Sequence, residues 1–169
     1  MADDNKKPIW EPSKERIENS NMMAFIEFIK GSRGMQFKNY NELYEWSVKE
    51  PADFWETLWG FSGIIHSEEY TSVLEGDDIR TAKWFIGTKL NFAENLLRFN
   101  NDEEAIVYWA EDQKPEAFSY NELNQQVAAL AHSFKLHGIK QGDRVAAIIS
   151  NRPEAIIGML AAASIGAIW

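Results

Sequence analysis

The chain has no cysteine among its 169 residues. That excludes disulfides, thiol catalysis and cysteine-based zinc sites together, and it fits a reducing cytoplasm. A basic stripe is missing as well: 17 Lys and Arg stand against 26 Asp and Glu, a formal net charge of −9. The only basic cluster, Lys6-Lys7, is too short to neutralise a phosphate backbone, so no nucleic-acid partner is expected. The start, MADDNKKPIW, lacks the apolar segment of a signal peptide. The longest apolar run, Ala155 to Trp169, is broken by Gly158, Ser164 and Gly166 and is too short to span a bilayer. No membrane partner is expected, and a soluble cytoplasmic protein is the default. Neither GxGxxG nor GxxxxGK followed by Ser or Thr occurs, which removes the usual phosphate loops.

What is present is a large aromatic complement, with 7 Trp and 10 Phe in a chain that is 45% hydrophobic. That is enough for a sizeable core. The first hundred residues read as helical. Pro12-Ser13 opens a short turn, and Met22, Phe25, Ile26 and Ile29 follow with the spacing of one helix face, with Gly31 placed as a stop. Asn39 to Glu42 resembles a capping box that leads into Leu43, Tyr44, Trp46 and Ser47. Pro51 fits the first position of a further helix striped by Phe54, Trp55, Leu58 and Trp59, with Gly60 and Gly63 to end it. Short strands are expected at Val73-Leu74 and Trp84 to Ile86, and a last helix over Asn91 to Phe99. The polar break Asn100 to Glu104 sets an expected domain boundary between residues 100 and 101.

Beyond the break the period changes. Ala105 to Trp109 reads as a strand, Gln113-Lys114-Pro115 as a turn and Glu116 to Phe118 as the returning strand. Ser119 and Glu122 form a capping box for a helix carrying Leu123, Val127, Leu130, Ala131 and Phe134, closed by Gly138. Val145 to Ile149 is a continuous apolar run, the pattern of a parallel strand covered on both faces. Pro153 starts a helix that is apolar nearly all round and should be deeply buried. Strands alternating with helices predict an α/β fold, helical in its first part and βαβα in its second. The pattern stops inside a hydrophobic run, so the front of a larger protein is expected. The apolar faces of Val145 to Ile149 and Pro153 to Gly166 then predict self-association through residues 144–169.

Residues able to carry chemistry are scattered. Gly31-Ser32-Arg33-Gly34 is the nearest approach to a phosphate loop, but no strand precedes it and a helix stop is the better reading. His132 and His137 lie five apart, on different faces of a helix, which suits surface or cap roles; His66 has no partner nearby in sequence. Glu68-Glu69 and Asp77-Asp78 lie on no apolar element that would shift a carboxyl pKa, so solvated loops are expected. Trp46, Trp55 and Trp59 fit a helix–helix core better than an aromatic pocket.

The order of segments resembles a known superfamily. Trp10-Glu11-Pro12-Ser13 with Arg16, Tyr44 to Val48, and Phe54-Trp55 look like the N-terminal region of short-chain acyl-CoA synthetases. Ala82 to Leu97, including Asn91-Phe92-Ala93-Glu94-Asn95, resembles the stretch before their catalytic core. Ser119-Tyr120, Glu122-Leu123, Gly138, Gly142 to Ala146, Asn151 to Ala155 and Ala161 to Trp169 resemble the opening of the large domain of adenylate-forming enzymes. The resemblance covers nearly the whole chain from Trp10. Among these enzymes the acetoacetyl-CoA synthetases are the closest in pattern, because acetyl and propionyl relatives usually carry His where Trp169 stands.

The resemblance implies an acid–thiol ligase of lipid and fatty acid metabolism using ATP, CoA and magnesium. Acetoacetate would attack the α-phosphate of ATP to give an acyl-adenylate, and CoA thiol would then displace AMP. The groups that do this in the family are a Ser/Thr/Gly-rich loop with Lys, an Asp for the ribose and a Lys on a mobile C-terminal domain. None has a matching segment here, so no catalytic, cofactor-binding or metal-binding residue carries over. The chain alone is expected to be inactive and to hold no cofactor, with the remainder of a catalytic domain as its partner. A stand-alone interaction module and an acetyl- or propionyl-CoA ligase portion are the alternatives.

Overall fold

The computed structural model describes residues 8–111 and 114–169. Lys6-Lys7 and Gln113 of the expected turn lie outside them. The fold mixes helices with two small antiparallel sheets. It divides into two units: described residues up to Ile64 with Ser72–Ile86, and Ile65–Thr71 with Gly87–Trp169.

The first unit holds α1 (Lys14–Glu18), α2 (Asn21–Arg33), α3 (Tyr40–Lys49), α4 (Pro51–Ser62), β1 (Ser72–Glu75) and β2 (Lys83–Ile86). Each early helix starts where a side chain can accept from an orphan N–H: Ser13, Ser20 and Asn39 accept from Arg16, Met23 and Glu42. At α3 the box is displaced by one residue, because the Glu42 carboxylate accepts from the Lys38 N–H rather than from Asn39. Pro51 opens α4 as expected. Phe25, Ile29, Leu43 and Trp46 are buried together, with Phe37, Phe54, Leu58 and Phe61 packed around them. Ring pairs such as Phe25–Phe54 at 5.8 Å and Trp46–Phe54 at 5.7 Å meet edge to face, and each adds about 1 kcal/mol beyond its buried area.

Two glycine assignments change. Gly31 lies inside α2, and Gly34, at φ 70°, ends it by donating to the Lys30 carbonyl. The left-handed turn needs the residue that lacks a Cβ, and Arg33 could not supply it. Gly60 lies inside α4 rather than ending it, and an added Cβ there would sit 3.6 Å from the Phe28 ring, an ordinary van der Waals contact. Gly63 ends it instead.

The second unit contains α5 (Phe92–Leu96), β3 (Glu104–Tyr108), β4 (Glu116–Ser119), α6 (Tyr120–Leu136) and α7 (Pro153–Ser164). α5 is shorter than expected because the Phe99 carbonyl accepts from the Asn124 side chain at 2.8 Å and the Phe99 ring packs on Tyr120. The capping box of Ser119 and Glu122 is complete. α6 closes with Ile139 N–H on Phe134 O and Gly138 N–H on Lys135 O, a Schellman ending with Gly138 at φ 82°. Leu123, Val127 and Ala131 of α6 bury Ile157, Leu160 and Ala161 of α7, with Ala93 of α5 joining them.

Val145 to Ile149 is not a covered strand. Only Arg144 pairs, with Ile168, in one parallel bridge; Ile148 is fully exposed and Ile149 is 44% exposed. A parallel strand becomes regular when neighbours supply its hydrogen bonds, and among the described residues only the segment at Ile168 runs beside it. The expectation of open apolar faces therefore holds for 145–149 and fails for α7, whose Leu160 is 2% exposed because α6 covers it.

Candidate functional site

In the second unit, α7 runs back from Arg152 so that the chain leaving Gly166 returns beside Asp143 to Val145. Ile168 N–H donates to Asp143 O at 2.8 Å, and Val145 N–H donates to Ile168 O at 2.8 Å. This is a single parallel bridge beside α7, and the run from there to Ile149 is exposed and unpaired. Asn91 serves it from 72 residues away: its Nδ2 donates to Ala163 O at 2.9 Å, while its Oδ1 caps α5. Asn95 holds the Ile65 backbone at both ends, accepting its N–H at 2.8 Å and donating to its carbonyl at 2.9 Å. The Asn91 to Asn95 motif is thus a stitch between segments. Its capping half is readable in sequence, and its long-range half is not.

A cleft of about 290 Å³ lies between β3 and the start of α7, lined by Tyr108, Trp109, Asn151, Arg152 and Ile156. The Arg152 guanidinium sits 5.6 Å over the Tyr108 ring and binds both oxygens of Glu154. That hydrogen bonding holds the Glu154 carboxyl below the ordinary carboxylate range and raises Arg152. In the first unit, Met22, Phe25, Tyr44, Phe54, Leu58 and Phe61 line an apolar groove of about 320 Å³ between α2, α3 and α4.

The residues singled out in the sequence are not assembled into one centre. Arg33 of the Gly31–Gly34 segment is an ion-pair partner, 3.2 Å from Asp53 and 2.7 Å from Glu56, and its Nε donates to Thr57 Oγ1. Nothing in sequence marked Thr57, which is buried; an i, i+3, i+4 face shared with Asp53 and Glu56 is its one signal. Glu68 pairs with Lys89 at 2.7 Å. His66 does have a partner, Glu69 at 3.1 Å, brought within reach by the bend between them. The Asp78 carboxylate accepts from the Arg80 guanidinium and from the Arg80 backbone N–H, which hold it below the ordinary range. His132 is exposed, and His137 is the cap residue of α6 with Nδ1 at 2.8 Å from Ser133 O. Trp46 is core, and Trp55 and Trp59 pack on Trp84 and Phe85 of the β1–β2 hairpin. The described residues hold no group of three His, Cys, Asp or Glu that could hold a metal ion. None of their helices is long and apolar enough to cross a membrane.

Comparison with known proteins gives two family matches. Residues 92–169 match the family described as AMP-binding enzyme, and residues 40–96 match the acetyl-coenzyme A synthetase N-terminus. Acetoacetyl-CoA synthetase of Gallus gallus is 41% identical over 165 residues, covering 95% of this chain and 24% of that protein. The Rhizobium meliloti (strain 1021) acetoacetyl-coenzyme A synthetase is 37% identical over 164 residues, covering 97% of this chain and 25% of that protein. The solved structure of acetoacetyl-CoA synthetase from Streptomyces lividans aligns with a TM-score of 0.87 at 33% identity, over 97% of this chain and 26% of that one. The chain spans about a quarter of the length of the curated relatives it matches.

Proposed function

We propose that this chain, which in sequence and fold matches the N-terminal portion of acetoacetyl-CoA synthetases, is the N-terminal part of an ATP-dependent acetoacetate–CoA ligase. The observation that carries the reading is the agreement in fold, a TM-score of 0.87 over 97% of the chain. Residues 1–100 are assigned to the aromatic-rich N-terminal extension and 101–169 to the start of the AMP-binding large domain. The meeting of the two family matches at residues 92–96 supports a division near there. ATP, CoA, magnesium and acetoacetate are the ligands of the whole protein. What these residues contribute is support: α6 and α7 form a helical layer, and Asp143 to Val145 with Ile168 set the direction of the sheet laid on it.

The role of 144–169 is to meet the rest of that domain in a cytoplasmic enzyme. Without it the exposed edge at 145–149 is the surface through which two copies would associate. The test of the ligase reading is exchange of labelled pyrophosphate into ATP. The product of the reading frame continued past codon 169 shows exchange that depends on acetoacetate, and the 169-residue chain shows none. Exchange driven by acetate or propionate in place of acetoacetate overturns the substrate. Exchange above a buffer blank by protein of verified 169-residue mass overturns the supporting role.

A further inference from the structure

Gly158 lies at the centre of α7 and is buried, in a helix otherwise built of Ala, Ile, Leu and Met along its apolar positions. Glycine there weakens a helix relative to alanine, so its place calls for a compensating contact. A Cβ added at Gly158 would stand 3.0 Å from Cη2 and 3.2 Å from Cζ3 of Trp169. Both atoms belong to the outer ring of the indole, which would have to give by a few tenths of an ångström to admit the Cβ. The ring therefore sits in a slot that a side chain at residue 158 would crowd.

The contact falls where the backbone specifies least. Arg144 and Ile168 form one parallel bridge with two hydrogen bonds, and only the Gly142 N–H to Gly166 O bond ties the same segments just before it. A slip of one residue offers the same donors and acceptors while turning each side chain to the opposite face. An indole seated in a slot separates the two registers, because Ile168 cannot fill it in the slipped one. We propose that Gly158 is a positioning residue: it receives the Trp169 indole and thereby sets the register of the parallel pairing between Arg144 and Ile168. This goes beyond the ligase reading and stands without it.

Four forms of the 169-residue chain test it: the parent, Gly158→Ala, Trp169→Phe and the double variant. Phe lacks the outer indole ring, so the double variant has room for the Cβ. Gly158→Ala lowers the thermal midpoint, and the Val145 and Ile168 amides lose tenfold or more of their hydrogen-exchange protection relative to amides within α6. The double variant recovers at least the midpoint of Trp169→Phe, since alanine is then simply the better helix residue. A higher midpoint for Gly158→Ala in the parent background overturns the proposal. Unchanged relative protection at Val145 and Ile168, or a double variant impaired by the sum of the single effects, does so as well. Where Gly158→Ala does not fold, the double variant decides: folded supports the slot, and unfolded refutes it.

Discussion

Gly138 isolates a backbone effect. Its φ is 82°, and an added Cβ meets nothing within 4 Å. Gly138→Ala therefore carries no steric collision with neighbours, only the cost of holding a Cβ-bearing residue in the left-handed region, about 1 kcal/mol. Urea denaturation followed by far-UV circular dichroism reads this as a lower midpoint with an unchanged slope. No loss of stability would mean that the α6 ending relaxes to another turn. Gly158 shows the opposite case, a glycine with negative φ kept for the space beside it. The sequence marked Gly138 as a helix stop, but a glycine in mid-helix such as Gly158 carries no local sign of the neighbour that requires it. Thr57 and Arg33 were silent there for a related reason: their bond joins residues 24 apart in the chain.

At the scale of the element, α6 is the most legible segment. Ser119 and Glu122 satisfy each other's backbone reciprocally, with Glu122 N–H on Ser119 Oγ at 3.2 Å and Ser119 N–H on the Glu122 carboxylate at 2.8 Å. Ser119→Ala removes the acceptor and is expected to cost about 1 kcal/mol of unfolding free energy, read from the same denaturation curves. A change within a few tenths would show that Glu122 alone suffices. Caps and apolar stripes are local, so α2, α3, α4, α6 and α7 were read from spacing with small errors at their ends. Val145 to Ile149 was misread for a complementary reason. Its apolar composition suits a parallel strand, but pairing is a property of two segments and only Arg144 has found a partner.

At the scale of the whole molecule, the exposed run through Ile148 and Ile149, with Ile168 52% exposed and Trp169 44%, forms an apolar edge on the second unit. The chain is expected to self-associate through it. Light scattering at tens of micromolar checks this: a mass above 19.4 kDa that falls on Ile148→Lys supports the edge as the contact. A monomeric parent chain would refute it. The charge of −9 opposes association in general, so the effect should strengthen as salt screens that repulsion.

The sequence by itself determined where most helices begin, which faces are apolar, and the resemblance of ordered motifs that the family matches later supported. These depend on interactions within a few residues, or on patterns preserved along the chain. Tertiary structure decided what no spacing encodes: that Asn91 reaches Ala163, that Arg33 closes on Asp53, Glu56 and Thr57, and that Gly158 makes room for Trp169. Each is a contact between segments brought together only by packing, where the geometry of close approach, rather than local propensity, selects the residue.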